Sequence, residues 1–331
     1  MNSPTRIAAL STTPKQLTVV TDGACKASMM TPRRCYELDL TTGELTAHET
    51  PWPTDEELTW ALPVGSGRML VLISGCLCLW TPSEGDMKRV TDDVPAHTQL
   101  ASDRLGAQLH LWLTDHNSGS AAGFDYETNC TYRGVVDLNT GTLSVPFSRR
   151  VDANVLTVCV TADGATYICH AGRIHFQLAR VPDDADEDAV RKPVVGNYAL
   201  NLSLPHDGPY KILGRDRKGA PIVLAENAEG LRNHAALLRL DRDPDEHATL
   251  GTFRHGGKKM YQCAMGPDDV VYVVSYKSRR GGCTVWRWAP GDTEFEQVAI
   301  WSGDWYRSTA FAVTAASLVF VRDGEVFTAR R

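Results

Sequence analysis

Residues 6–23 read RIAALSTTPKQLTVVTDG, and residues 310–324 read AFAVTAASLVFVRDG. Each stretch has a short apolar run, a small or polar break, a β-rich run and a turn residue, the outline of two antiparallel strands. The same phrase recurs between them, at WALPVGSGRMLVLISG from Trp60, QLASDRLGAQLHLWLTD from Gln99, LTVCVTADGATYICHAG from Leu156, KILGRDRKGAPIVLAEN from Lys211 and QCAMGPDDVVYVVSYK from Gln262. Seven copies, starting 39 to 57 residues apart, set a repeat period that decides the fold class before any single element does.

A second hairpin follows most copies. It is CYELDLTTGELTAHE after the first, CTYRGVVDLNTGTLSVPF after the third, AALLRLDRDPDEHATLGTF after the fifth and CTVWRWAPGDTEFEQVAI after the sixth. An alternating strand runs into a Thr-Gly, Asp-Pro or Pro-Gly turn and returns as a more polar strand. Four antiparallel strands per repeat, seven times over, predict an all-β seven-bladed β-propeller that occupies residues 1–331 as one domain. The chain resembles the broad β-propeller superfamily. Leu38–Leu45 (LDLTTGEL) and Val136–Leu143 (VDLNTGTL) are similar to the outer hairpins of quinoprotein-like and Kelch-like repeats. The pattern of WD repeats is absent, and Gly256-Gly257 and Gly281-Gly282 lack the aromatic spacing of true Kelch blades, so the resemblance extends to architecture alone. The last repeat supplies three strands. It is either a three-stranded blade or closed by the N-terminal RIAALS strand, and closure is the preferred reading because it removes an exposed edge.

Composition narrows the function classes. A net charge of -6 offers no global attraction to nucleic acid or to anionic membranes. No window approaches the roughly 18 apolar residues of a membrane span, and no secretory signal is legible, so a soluble cytoplasmic protein is expected. Nine cysteines, most within apolar strands (Cys76, Cys78, Cys159, Cys169), read as small buried hydrophobes of a reducing compartment. Cys76 and Cys78 share a strand face, but no second pair or nearby His completes a zinc set, and no metal or cofactor is expected. No dinucleotide or phosphate-loop fingerprint occurs, and PVGSGRM and NSGSAAG only echo a nucleophile elbow in a chain with little predicted helix. The sequons at Asn129 and Asn201 carry no weight without secretion. Residues 182–193 form an acidic, solvated connection, and Trp80, Trp112, Trp286 and Trp288 are expected as filler within and between blades.

In a propeller, the loops leading into the innermost strands share one face with the loops between second and third strands, and function must be read from their side chains. Arg232, His234, Arg254, His255, Lys258, Lys259, Lys277, Arg279, Arg280 and Arg307 fall on that predicted face beside Tyr261, Trp301, Trp305 and Tyr306. Arginine forks grip carboxylate or phosphate, and flat aromatics supply contact area, so this sector suits an acidic or phosphorylated protein or peptide; the alternative is that the charged loops are simply solvated and that Trp301 and Trp305 pack between blades. The expected function is therefore a non-enzymatic interaction platform. The competing readings are a sugar- or lactone-active hydrolase or lyase at the channel mouth, with His116, His206 or His255 as candidate bases, and a structural subunit of a larger complex. For the enzyme reading, Asp115, His116, Asp125 and Glu127 are placed in one long loop of the third repeat and His206 and Asp207 in another. Met29 and Met30 are placed in an adaptable loop, residues 22–34.

Overall fold

The computed structural model describes all residues except 11–19, 23–25, 32, 54–57, 122–123, 152–153, 172–175, 182–199, 202–209, 227–233, 241–246, 255–260 and 277–281. The protein is an all-β seven-bladed β-propeller, with seven antiparallel sheets of four strands each. The chain divides into two compact units, residues 1–92 with 253–331, and residues 93–252.

The first unit begins with β1 (Thr5–Ala9), followed by a sheet of β2 (Val20–Asp22), β3 (Lys26–Thr31), β4 (Arg34–Asp39) and β5 (Leu45–Glu49), and by a sheet of β6 (Leu58–Gly65), β7 (Arg68–Ile73), β8 (Cys76–Thr81) and β9 (Asp86–Thr91). The second unit holds β10 (Gln99–Leu105), β11 (Gln108–Ala121), β12 (Phe124–Asp137) and β13 (Thr142–Val151); then β14 (Asn154–Val160), β15 (Thr166–Ala171), β16 (Phe176–Val181) and β17 (Leu200–Asn201); then β18 (Tyr210–Arg215), β19 (Pro221–Glu226), β20 (His234–Leu240) and β21 (His247–Arg254), whose last two residues belong to the first unit. The first unit resumes with β22 (Tyr261–Met265), β23 (Val271–Tyr276), β24 (Cys283–Trp288) and β25 (Glu296–Trp301), and ends with β26 (Ala310–Val313), β27 (Ser317–Arg322) and β28 (Glu325–Arg330).

The strand order of the last sheet is β1-β28-β27-β26, with Thr5 opposite Thr328 and Ala9 opposite Glu325. The N-terminal strand therefore closes the blade that the C-terminal repeat leaves at three strands, and pairs the backbone groups of β28 that would otherwise form an open edge. One expectation is corrected here. Residues 6–23 are not a single hairpin, because β1 joins the last sheet while Val20–Asp22 pairs with β3. Two loop assignments also change. Lys26–Thr31 is a strand with Met29 and Met30 in the core, and residues 115–129 continue the β11–β12 ladder as far as Ala121 opposite Phe124. Small and polar residues at 117–120 masked that strand, since composition there favours a loop while the ladder's own hydrogen bonds sustain it.

Both faces of inner-blade strands such as β7, β8, β20 and β27 are buried, which explains their near-continuous apolar runs. In the first unit, Met29, Tyr36 and Leu38 pack against Val319, Val321 and Val326, and Met30 and Cys35 pack against Met69, Val71 and Trp80. In the second, Ala101 and Trp112 meet Val155, Val158 and Ile168, while Cys159, Tyr167 and Leu178 meet Val223, Ala236 and Leu238. Trp80 and Trp112 are fully buried, as their positions inside strands led us to expect.

The turns follow from local chemistry. Asp39 Oδ1 accepts from the backbone N–H groups of Thr41 and Thr42 at 2.7 and 3.0 Å, and Asp137 Oδ1 accepts from Asn139 and Thr140 at 2.8 and 3.0 Å. These side-chain turns account for the shared phrase Asp-x-(Thr/Asn)-Thr-Gly, and the bonds, led by Thr42 and Thr140 respectively, hold both carboxyls below their ordinary range. Two-residue turns at Ser74–Gly75 (φ 47° and 83°) and Asp323–Gly324 (φ 53° and 76°) place both residues in the left-handed region that suits the twist of a tight hairpin.

Candidate functional site

At one end of the β22–β25 sheet, Tyr261 lies opposite Ser275, and Cys283 lies opposite both Tyr276 and Trp301. This register sets Tyr261, Tyr276, Cys283 and Trp301 at the same end of the sheet, and Trp301 leads directly into residues 302–308, which carry part of the basic-aromatic sector. His255, Lys258, Lys259, Lys277, Arg279 and Arg280 lie outside the described residues, as do Arg232 and His206, and the side chains of Tyr261 and His116 are likewise not described. Arg254, exposed at the end of β21, and residues 301–308 are described in full.

The 302–308 segment is built around one turn of 3-10 helix, Trp305–Arg307. Its backbone is held by bonds from Arg307 N to Asp304 O at 2.9 Å and from Ser308 Oγ to Trp305 O at 2.8 Å. The indole of Trp305 donates to Ser302 O at 2.9 Å. From the neighbouring β22, Gln262 Nε2 donates to Ser308 O at 2.8 Å and to Tyr306 O at 3.3 Å.

Trp301, Trp305 and Tyr306 are 1%, 7% and 7% exposed, so Trp301 and Trp305 pack between blades, the alternative to forming contact surface, and Tyr306 is buried with them. Trp301 meets Phe320 edge-on at 5.6 Å, and Trp305 meets Phe320 at 5.7 Å and Phe327 at 5.0 Å, with the Arg322 guanidinium 4.1 Å from the Trp305 ring. Large aromatic area is worth more in a core between two sheets than at a solvated loop, and the edge-on geometry adds to it. What the segment presents outward is Arg307. Its side chain is 64% exposed, lies 5.5 Å from the Tyr306 ring and is only loosely paired with Asp304 at 3.9 Å. His234 opens β20 in the other unit and is half-buried.

A polar cluster in the second unit went unread in the sequence. Asp103 on β10 accepts from Val160 N–H at 2.7 Å and from Arg215 at 2.7 Å (Nη1) and 3.2 Å (Nη2). Arg215 on β18 also donates to the carbonyls of Val160 and Arg104, so one guanidinium ties three sheets together. Burial raises the Asp103 carboxyl by more than the Val160 N–H and the Arg215 charge lower it, and the net direction is up. Opposite Asp103 stands His110, 4% exposed, with Nδ1 3.2 Å from Arg133 Nη2. Because a guanidinium can only donate, Nδ1 accepts, and the imidazole proton resides on Nε2, which has no partner. Burial first, and then the charges of Arg133 and Arg215, push this imidazole down to about 4. It is neutral at pH 7 and far too weak a base for proton abstraction, so the cluster is a structural clamp. The signal in the sequence was a charged residue inside a repeat phrase otherwise built from apolar strands, Asp103 in QLASDRLG and Arg215 in KILGRDRKG.

Among the described residues no group of three or more His, Cys, Asp or Glu is arranged to hold a metal ion, and no helix is long and apolar enough to cross a membrane. No family model and no curated protein matches the sequence. Solved structures do match. An oligogalacturonate lyase in complex with manganese aligns at 12% identity over 98% of each chain with a TM-score of 0.61. A catalytically inactive virginiamycin B lyase from Staphylococcus aureus, with quinupristin, aligns at 10% identity over 99% of this chain and 98% of its own with a TM-score of 0.57. A chain of the mitotic checkpoint complex aligns at 9% identity over 97% and 92% with a TM-score of 0.55. The shared feature is the fold. Two lyases and a component of a protein assembly carry the same architecture at this level of identity, so activity has to be argued from side chains.

Proposed function

We propose that the protein is an interaction platform that binds an acidic or phosphorylated protein segment at the end of the β22–β25 sheet. The observation that carries the reading is the anchoring of residues 301–308. Trp301, Trp305 and Tyr306 fix the segment from below and Gln262 fixes it from the side, while Arg307 stands in solvent. A loop already held in one conformation loses little entropy when it binds, and an arginine so displayed suits bidentate contact with carboxylate or phosphate. Exposed Arg254 adds a second cation to the proposed sector, and the basic residues His255, Lys258 and Lys259 follow it in sequence.

Affinity capture from a lysate of the source organism tests the reading, with wild type compared against Arg307→Glu and Arg254→Glu/Arg307→Glu. Trp305 is unsuitable for this purpose, because its loss would open the core. Partners held by wild type and lost from both folded charge-reversal variants are the expected result. Identical capture by all three would remove the sector from consideration.

A further inference from the structure

Cys76 and Cys78 open β8 immediately after the exposed Ser74–Gly75 turn. Leu77 between them is fully buried, and strand alternation turns both thiols to the opposite face, which packs against the β2–β5 sheet. Their sulfurs are 3.4 Å apart, in a cluster that also contains Met30, Cys35 and Met69. Cys78 is 5% exposed and Cys76 is half-buried, so solvent reaches the pair from the Cys76 side.

We propose that Cys76 and Cys78 form a dithiol site that chelates a thiophilic trivalent ion of the arsenite class. Residues two apart on an extended strand have Cα atoms about 6.6 to 6.8 Å apart, at the upper limit of disulfide geometry, so a direct sulfur–sulfur bond is disfavoured. An ion between the sulfurs removes that constraint. With ion–sulfur bonds of about 2.3 Å, as for zinc thiolates, the 3.4 Å separation subtends about 95° at the ion. That angle suits a pyramidal trivalent centre with near-perpendicular bonds and not a linear two-coordinate ion. Because the described residues offer no third protein ligand, tetrahedral zinc is not served, whereas a pyramidal ion takes its third ligand from water or an organic substituent. With phenylarsine oxide the balance is simple: two S–As bonds form, the two thiol protons leave with the oxide oxygen as water, and nothing is oxidised or reduced.

The test is intact-mass spectrometry of the full chain treated with phenylarsine oxide in excess glutathione. The expected result is one arsenical per chain, retained against the monothiol and removed by 2,3-dimercaptopropanol. Cys76→Ser and Cys78→Ser are each expected to weaken retention by about 100-fold or more, the usual advantage of a second tethered ligand, while Cys130→Ser retains the adduct. Melting temperatures of the variants separate loss of the site from loss of the fold, and half-buried Cys76 is the substitution the fold tolerates best. No adduct on folded wild type, or an adduct undiminished in folded Cys76→Ser, would overturn the proposal. So would a quantitative Cys76–Cys78 disulfide in mildly oxidising glutathione buffer.

Discussion

The guanidinium of Arg215 lies 2.7 Å from the carboxylate of Asp103 across 112 residues of sequence. The contact links β10 to β18, and through the Val160 N–H and carbonyl it takes in β14 as well. With side chains only 20% and 17% exposed, the pair is costly to break from one side, since the charge left behind stays buried. Arg215→Ala is expected to destabilise the protein by about 3 kcal/mol at pH 7, measured by urea unfolding. The Asp103 carboxyl already titrates above its ordinary range, and losing Arg215 raises it further. A raised folded pKa means that the carboxylate opposes folding once pH exceeds it, so the deficit of Arg215→Ala shrinks as pH falls toward 4. Asp103→Asn in the Arg215→Ala background is expected to recover part of the loss at pH 7.

His110 gives the opposite slope. Its imidazole is pushed down to about 4 in the folded protein, from an ordinary value of 6.5. The folded state resists protonation, so stability is full above 6.5 and declines as pH falls from there toward 4. One such group costs about 2 to 3 kcal/mol between pH 7.5 and 4.5. His110→Gln, which keeps an acceptor for Arg133, is expected to flatten this part of the stability profile. An unchanged slope would mean that the imidazole charges without penalty.

Closure by β1 has a structural consequence. Removing residues 1–9 uncovers Glu325–Thr328 of β28, whose backbone groups then form an open edge. The truncated protein is expected to melt at lower temperature and to self-associate, as measured by calorimetry and light scattering. A synthetic peptide of residues 1–10 is expected to restore part of the melting temperature when added in excess. A truncation that melts like wild type would show that β1 contributes little to the blade.

The two halves of the 301–308 segment are predicted to respond differently to substitution. Trp305→Ala removes a 7%-exposed ring from between Phe320 and Phe327 and is expected to cost about 3 to 5 kcal/mol. Arg307→Glu, at a side chain 64% exposed, is expected to change stability by less than about 0.5 kcal/mol. Thermal melts of the two variants check both statements.

The repeat count and the closing strand were legible because every blade repeats one apolar hairpin phrase and because three strands at residues 310–331 leave an edge to fill. Periodicity cannot say which sheet a strand joins. Thr5–Ala9 reads like the first strand of a hairpin, yet its partner lies more than 300 residues away in β28. Met29 and Met30 were placed in a loop because Lys26 and Ser28 break the apolar run, although both methionines face the core. At the candidate site, residue type alone could not decide between exposed and packed rings. Trp and Tyr beside Arg look the same in sequence whether the rings meet a partner or Phe320, and only the packing of β27 and β28 decides it. Asp103 and Arg215 were missed for the same reason, since each is unremarkable until the other is found beside it.

The most direct test of the binding account is a fluorescence anisotropy titration of wild type and Arg307→Glu against pooled phosphoserine- and glutamate-rich peptides at low and high salt. The account predicts saturable binding by wild type that weakens with salt, and at least about tenfold weaker binding by the equally stable variant, as expected for loss of a charge-assisted contact. Equal binding by the two proteins, or none by either, would contradict it.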